Sequence, residues 1–193
     1  MRLFVAVVPP AEAVADLDSF LDVRRSAADL RWSRAEHLHV TVAFAPAVDE
    51  RRLDDLLEGL ADAAARRTPV SARVAGGGAF PDPAGARVLW AGLTQAASAA
   101  EDLELLSRGL RAAATRAGVR VDGRRLHPHV TVARSRVPRP LDDWVRLLDT
   151  YVGPPWTVPG VLVLRSEPGP RYDVVAELPL APEVPAGRLV PLS

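Results

Sequence analysis

The sequence predicts an α+β fold of two similar lobes related by a pseudo-twofold axis. Each lobe has a mixed or antiparallel sheet and outer helices, and the two share a central cleft. Three observations carry that prediction. The pentapeptide His-Val-Thr-Val-Ala occurs twice, at 39–43 and 129–133, ninety residues apart in a chain of 193. Apolar runs of strand character alternate with Leu-, Ala- and charge-rich runs of helical spacing, and the order restarts midway along the chain. The offsets also agree: the first strand, from Leu3, and the strand at Arg87 are 84 residues apart, and the strands near Val70 and Trp156 are 86 apart. A repeat this long, present only twice, is no solenoid, which needs at least about three units.

In order, Leu3 to Val8 reads as a strand, and Pro9-Pro10 opens a helix over 11–28, because proline is tolerated in a first helical turn. Trp32 to His37 leads into the first motif strand. The segment 49–67 is a helix with Leu53, Leu56, Leu57 and Leu60 on one face. Val70 to Phe80 and Arg87 to Leu93 flank Pro81-Asp82-Pro83-Ala84-Gly85, which predicts a hairpin. The strand at Arg87 opens the second repeat and closes that hairpin, so the lobes interlock. A helix over 97–117 ending near Gly118, the second motif strand 129–134, a short helix over 141–151 and a hairpin of 157–164 with 171–178 complete the repeat. Residues 1–180 thus form one bilobal domain, and 181–193 a Pro-rich tail.

Apolar residues make up 48% of the chain and charged residues 25%, the composition of an ordinary globular protein rather than a disordered one. With 24 basic and 24 acidic residues the net charge is zero, so affinity for nucleic acid has to come from a local patch. Every basic residue is arginine, a bias that speaks of genome composition more than of ligand. Cysteine is absent, which removes disulfides, thiolate catalysis and Cys-based zinc sites and suits a reducing cytoplasm. The apolar start is cut off at Pro9, too early for a signal-peptide core or a membrane span. A soluble, cytoplasmic protein without membrane contact is expected.

In a strand, alternate side chains share a face, so His39 lies beside Thr41 and His129 beside Thr131. A lone His or Thr in a strand is ordinarily structural; the repetition of the pair is what points to chemistry. Two imidazoles and two hydroxyls across one cleft suit proton exchange around a phosphate. One neutral imidazole takes a proton from an attacking hydroxyl or water, the other, protonated, gives one to the departing oxygen, and the hydroxyls steady the phosphoryl oxygens.

His37 and His127 each precede a motif histidine by two residues, which is also metal-ligand spacing. Against a metal, Pro128 interrupts the second pair and no acidic residue lies within the second motif. No cofactor is expected. The stretch 120–139 carries Arg120, Arg124, Arg125, Arg134, Arg136 and Arg139 against one acid, Asp122, and reads as an electrostatic track for a polyanion or as a solvated loop. Arg134 is the sharpest candidate, although strict alternation points it away from His129 unless the strand twists or bulges. Phe80, Trp32 and Tyr172 could stack on a base, with core packing as the plainer reading.

These residues resemble the 2H phosphoesterases, in their branch of bacterial RNA 2′,3′-cyclic phosphodiesterases, also called 2′-5′ RNA ligases. The resemblance runs from Arg2 to Leu180. It rests on Arg2-Leu3-Phe4-Val5-Ala6-Val7, the first motif after Trp32 and Glu36, Phe80 with Val88-Leu89-Trp90-Ala91-Gly92, Pro128-His129-Val130-Thr131-Val132-Ala133-Arg134, and Ser166 to Tyr172. It implies a bilobal fold with a central cleft, His39 as proton donor to the leaving 3′ oxygen, and His129 as the acceptor that activates water. Thr41 and Thr131 assist them. Arg134, Phe80, Tyr172 and His37 are the candidate substrate-binding residues.

The reaction implied is metal-independent opening of an RNA 2′,3′-cyclic phosphate to a 2′-phosphate, with 2′-5′ ligation as its reverse. RNA ends or small 2′,3′-cyclic nucleotides are the substrates, for a monomer without an obligatory protein partner. The chain departs from the family's habit at His37, often Asn, and at Ala45-Pro46, commonly Leu-Gly, changes that bear on substrate preference. Two rivals remain: an RNA-end or nucleotide-binding module without turnover, and a His-based metallohydrolase.

Overall fold

The computed structural model describes residues 1–95, 102–167 and 171–182. Its strands are β1 (Leu3–Val7), β2 (Arg31–Trp32), β3 (Val40–Ala45), β4 (Val70–Phe80), β5 (Ala86–Gln95), β6 (His129–Arg139), β7 (Trp156–Val158), β8 (Gly160–Glu167) and β9 (Arg171–Pro179). The helices are α1 (Ala11–Asp22), α2 (Leu53–Ala64), α3 (Asp102–Arg116) and α4 (Asp142–Leu148). The strands join in one sheet of order β7-β4-β5-β6-β3-β1-β8-β9, with β2 beside β6. That order is a palindrome: β7-β4-β5-β6 mirrors β9-β8-β1-β3. The two motif strands meet at its centre through one antiparallel pair, Val40 with Val130. The halves therefore share a sheet, because the motif strands hydrogen-bond to each other.

Each motif strand slips register at the same place. Val5 faces Ala43 while Ala6 faces Thr41, so Val42 is an extra residue. Leu89 faces Ala133 while Trp90 faces Thr131, so Val132 is its counterpart. An extra residue shifts the alternation of side chains by one from that point onward. Val42 and Ala43 are accordingly buried in succession, as are Val132 and Ala133.

The main core lies between sheet and helices. Leu17 and Leu21 of α1, Leu56 and Leu60 of α2, and Leu103, Leu106 and Leu110 of α3 recur at helical spacing and pack with Leu3, Val5 and Val7. Burying each leucine is worth about 1.5–3 kcal/mol. Small residues let α2 and α3 approach closely: a Cβ on Gly59 would stand 3.6 Å from Ala113 Cβ. On β1 the alternate residues Phe4 and Ala6 point the other way and form a second cluster with Leu164.

Helix α1 ends at Asp22 rather than near residue 28, where Arg24 Nη1 donates to Phe20 O at 2.6 Å and the chain turns to bury Leu30. The strand expected at 157–164 is two strands, β7 and β8. Pro159 lies between them and has no N–H for a ladder, and the chain changes partner there, β7 pairing β4 and β8 pairing β1 and β9. Helix α3 is described from Asp102; residues 97–101 of the expected helix, and the tail beyond Pro182, lie outside the described residues. Among the described residues no helix is long and apolar enough to cross a membrane.

Candidate active site

His39 immediately precedes β3, and His129 is the first residue of β6. The Val40–Val130 pair beside them brings the two motifs together. His39 Nδ1 lies 2.7 Å from the His37 carbonyl oxygen, and His129 Nδ1 lies 2.6 Å from that of His127. A carbonyl can only accept, so each Nδ1 carries a hydrogen and each Nε2 is left for the chemistry. Residues 37 and 127 thus set the tautomer through their backbones. β6 begins only after Pro128, so His127 is not part of the strand.

Aromatic rings hold both imidazoles. Phe4 and Tyr172 lie 5.0 and 5.3 Å from the His39 ring, and Phe80 and Trp90 lie 5.1 and 5.8 Å from that of His129. Trp90 reaches its place across Gly78, its partner on β4, where a Cβ would fall 2.0 Å from the indole. Only glycine admits that ring. His37 packs edge-on to Tyr172 at 5.5 Å, and His127 to Trp90 at 4.6 Å.

Burial lowers the pKa of both motif histidines, with the backbone hydrogen bond at Nδ1 partly opposing it. The charges of His129, Arg134 and His37 push His39 down further, and those of His127 and Arg134 do so for His129. Each imidazole therefore tends to be neutral in the empty site. Arg134 acts on both because of the bulge: the extra residue at Val132 reverses its alternation, and Arg134 lines the same cleft as His129 and Thr131.

That cleft has a volume of about 540 Å³. Thr41, Thr131, Phe80, His129 and Arg134 line it; His37 and Tyr172 instead pack on the His39 side. Of the arginine-rich stretch, Arg124, Arg125 and Arg134 reach the cleft, whereas Arg139 donates to Asp29 O at 2.8 Å. Trp32 packs against Trp144 at 5.1 Å, away from the cleft wall. Among the described residues no three His, Asp or Glu side chains gather as a metal-ligand set.

Sequence reasoning missed Phe4, Phe44, Trp90, Ser33, Ser107 and Arg111. Phe44 had a signal, since it follows His39 by the same five residues that separate Arg134 from His129. The serines had none. Ser107 Oγ donates to Val42 O at 2.6 Å; Ser33 N donates to Val132 O at 2.9 Å and its Oγ to Thr131 O at 2.7 Å. Both bulge carbonyls are thus held by a serine from a separate element. Ser107 is fully buried, so in Ser107→Ala the Val42 carbonyl loses a partner away from water. A loss of about 1–3 kcal/mol is expected, read as a lower denaturation midpoint at constant m-value. An unchanged midpoint would remove Ser107 from the support of the first motif.

Known proteins extend this picture. The family model of LigT-like phosphoesterases matches residues 5–90 and 94–172. An RNA 2′,3′-cyclic phosphodiesterase of Geobacillus stearothermophilus is 29% identical over 92% of this chain, which spans only 56% of that relative's length. One from Thermus thermophilus is 32% identical over 95% of this chain and 92% of the relative. A solved structure from T. thermophilus superposes with a TM-score of 0.77 at 30% identity, covering 95% of this chain and all of that one. Escherichia coli LigT in its apo form shares the fold, with a TM-score of 0.71 at 23% identity over 93% of this chain and 97% of its own. Matched by the family model across both halves of its palindromic sheet, the chain belongs to the LigT-like phosphoesterase family.

Proposed function

We propose that the chain opens RNA 2′,3′-cyclic phosphate ends to 2′-phosphates without a metal ion, residues 1–180 acting as one unit. The observation that carries this reading is the pair of imidazoles, each with Nδ1 tied to a backbone carbonyl, flanking one junction beside Arg134. His129 Nε2 takes a proton from the water that attacks phosphorus. The bond from phosphorus to the 3′ oxygen breaks, and His39 Nε2 gives its proton to that oxygen. Each transfer is worth about 10²–10⁴ in rate.

The acid and base assignments follow the positions of the two motifs in the chain. Thr41 and Thr131 donate to the non-bridging oxygens, and Arg134 offsets the charge gathering there. Phe80 offers a ring to the terminal base, while Tyr172 and His37 act on the His39 side. The same ring opening, with a 5′-hydroxyl end attacking phosphorus in place of water and the 3′ oxygen again leaving, makes a 2′-5′ bond. The names of the relatives agree with this chemistry.

The test is turnover of a short RNA ending in a 2′,3′-cyclic phosphate in excess EDTA, with the product phosphate located. A 2′-phosphate formed at undiminished rate is expected. Loss of turnover in EDTA and recovery with zinc would make the protein a metallohydrolase; tight binding without turnover would make it a binding module.

A further inference from the structure

We infer that the cleft holds a second phosphate, the one on the 5′ oxygen of the terminal nucleoside, at Arg125. This rests on the proposed cyclic-phosphate chemistry and names the substrate that the site prefers. Four guanidiniums line the cleft, at positions 111, 124, 125 and 134, against one carboxylate, Asp122. Two of the four are committed. Arg124 grips Asp122 through Nε at 2.9 Å and Nη2 at 2.5 Å. Arg111 donates to Arg124 O at 2.6 Å and stands 3.7 Å from Glu104. Arg134 and Arg125 make no side-chain hydrogen bond or ion pair with described residues. Arg134 serves the reacting phosphate, which leaves Arg125 as a cation facing the cleft with no counterion among the described residues.

The segment that carries Arg125 is held in place rather than left loose. Asp122 N donates to Phe44 O at 2.9 Å, tying it to the end of β3, and Arg111 ties its middle to α3. Arg125 and His129 line the same cleft. A guanidinium carried on a segment so held, unpaired among the described residues and in a cleft of that sign, is an anion subsite, and the anion that accompanies a cyclic phosphate on an RNA end is the next phosphate toward the 5′ side. A free 5′-monophosphate offers the same chemistry as a chain diester.

Three substrates separate these sources: adenosine 2′,3′-cyclic phosphate, the same nucleoside bearing a 5′-monophosphate, and a diadenylate ending in the cyclic phosphate. The wild type is expected to favour both 5′-phosphorylated substrates in kcat/KM by about 10- to 150-fold, the range of a charged hydrogen bond. If only the monophosphate gains, the natural ligand is a small nucleotide; if both gain, the subsite reads an RNA chain. In Arg125→Ala that preference is expected to collapse, and the slope of log(kcat/KM) against log salt for the diadenylate to shrink by about 0.7, one single-strand phosphate contact. Arg125 is exposed, so its loss does not threaten folding. Equal kcat/KM on all three substrates, or a preference that survives in Arg125→Ala, would overturn the subsite while leaving the cyclic-phosphate reading intact. Failure of the wild type on all three would overturn that reading first.

Discussion

Hydrolysis of an RNA 2′,3′-cyclic phosphate by His129→Ala is expected to fall by about 10²–10⁴ in kcat, and by a similar factor in His39→Ala. The double variant should be little worse than either single one, because the two groups act in one proton circuit. The pH profile tells them apart. His129 works as the neutral base, so wild-type kcat/KM rises as pH passes upward through its pKa. His39 works as the cation, so kcat/KM falls as pH passes upward through its own. Burial and neighbouring cations lower both values, which places the bell for the free enzyme on the acid side of the ordinary histidine value of about 6.5. A bound phosphate favours both imidazolium forms and moves the kcat profile back toward neutrality. His129→Ala is then expected to lose the rising limb and His39→Ala the falling one. The opposite pairing would exchange the roles of acid and base, and full activity in either variant would end the two-histidine mechanism.

What the sequence made legible was whatever repeats within a short window. The duplicated pentapeptide located both imidazoles and both hydroxyls, and Val70 to Phe80 was bounded correctly by its own turn residues. Register was not legible. That the motif strands pair with each other through Val40 and Val130 depends on contacts across ninety residues, which no local pattern encodes. The supporting residues were hidden for the same reason. Ser107 is one small polar residue in an amphipathic helix, and its meaning comes from the Val42 carbonyl 65 positions away. Trp90 reads as an ordinary strand aromatic, and Gly78 as one glycine within the strand Val70 to Phe80. Only their pairing across β4 and β5 shows that one makes room for the other beside His127 and His129. The split at Pro159 could have been read in advance, since a proline inside an apolar run rarely continues a central ladder.

Arg134→Ala is expected to lower kcat/KM by about 10- to 150-fold, the loss of one charged hydrogen bond to the phosphoryl oxygens. The residue reaches the cleft only because Val132 is extra. Without the bulge, five positions of strict alternation would turn the guanidinium to the opposite face from His129. The variant also carries a second signature. The Arg134 charge lowers the pKa of both His39 and His129, so its removal should move both limbs of the kcat/KM profile to higher pH together. Arg134→Lys keeps the charge but not the planar fork. It should therefore hold the limbs near their wild-type positions while recovering only part of the rate. A profile that stays fixed in Arg134→Ala would mean that the guanidinium points away from the imidazoles in solution, and the bulge would then have no part in aiming it.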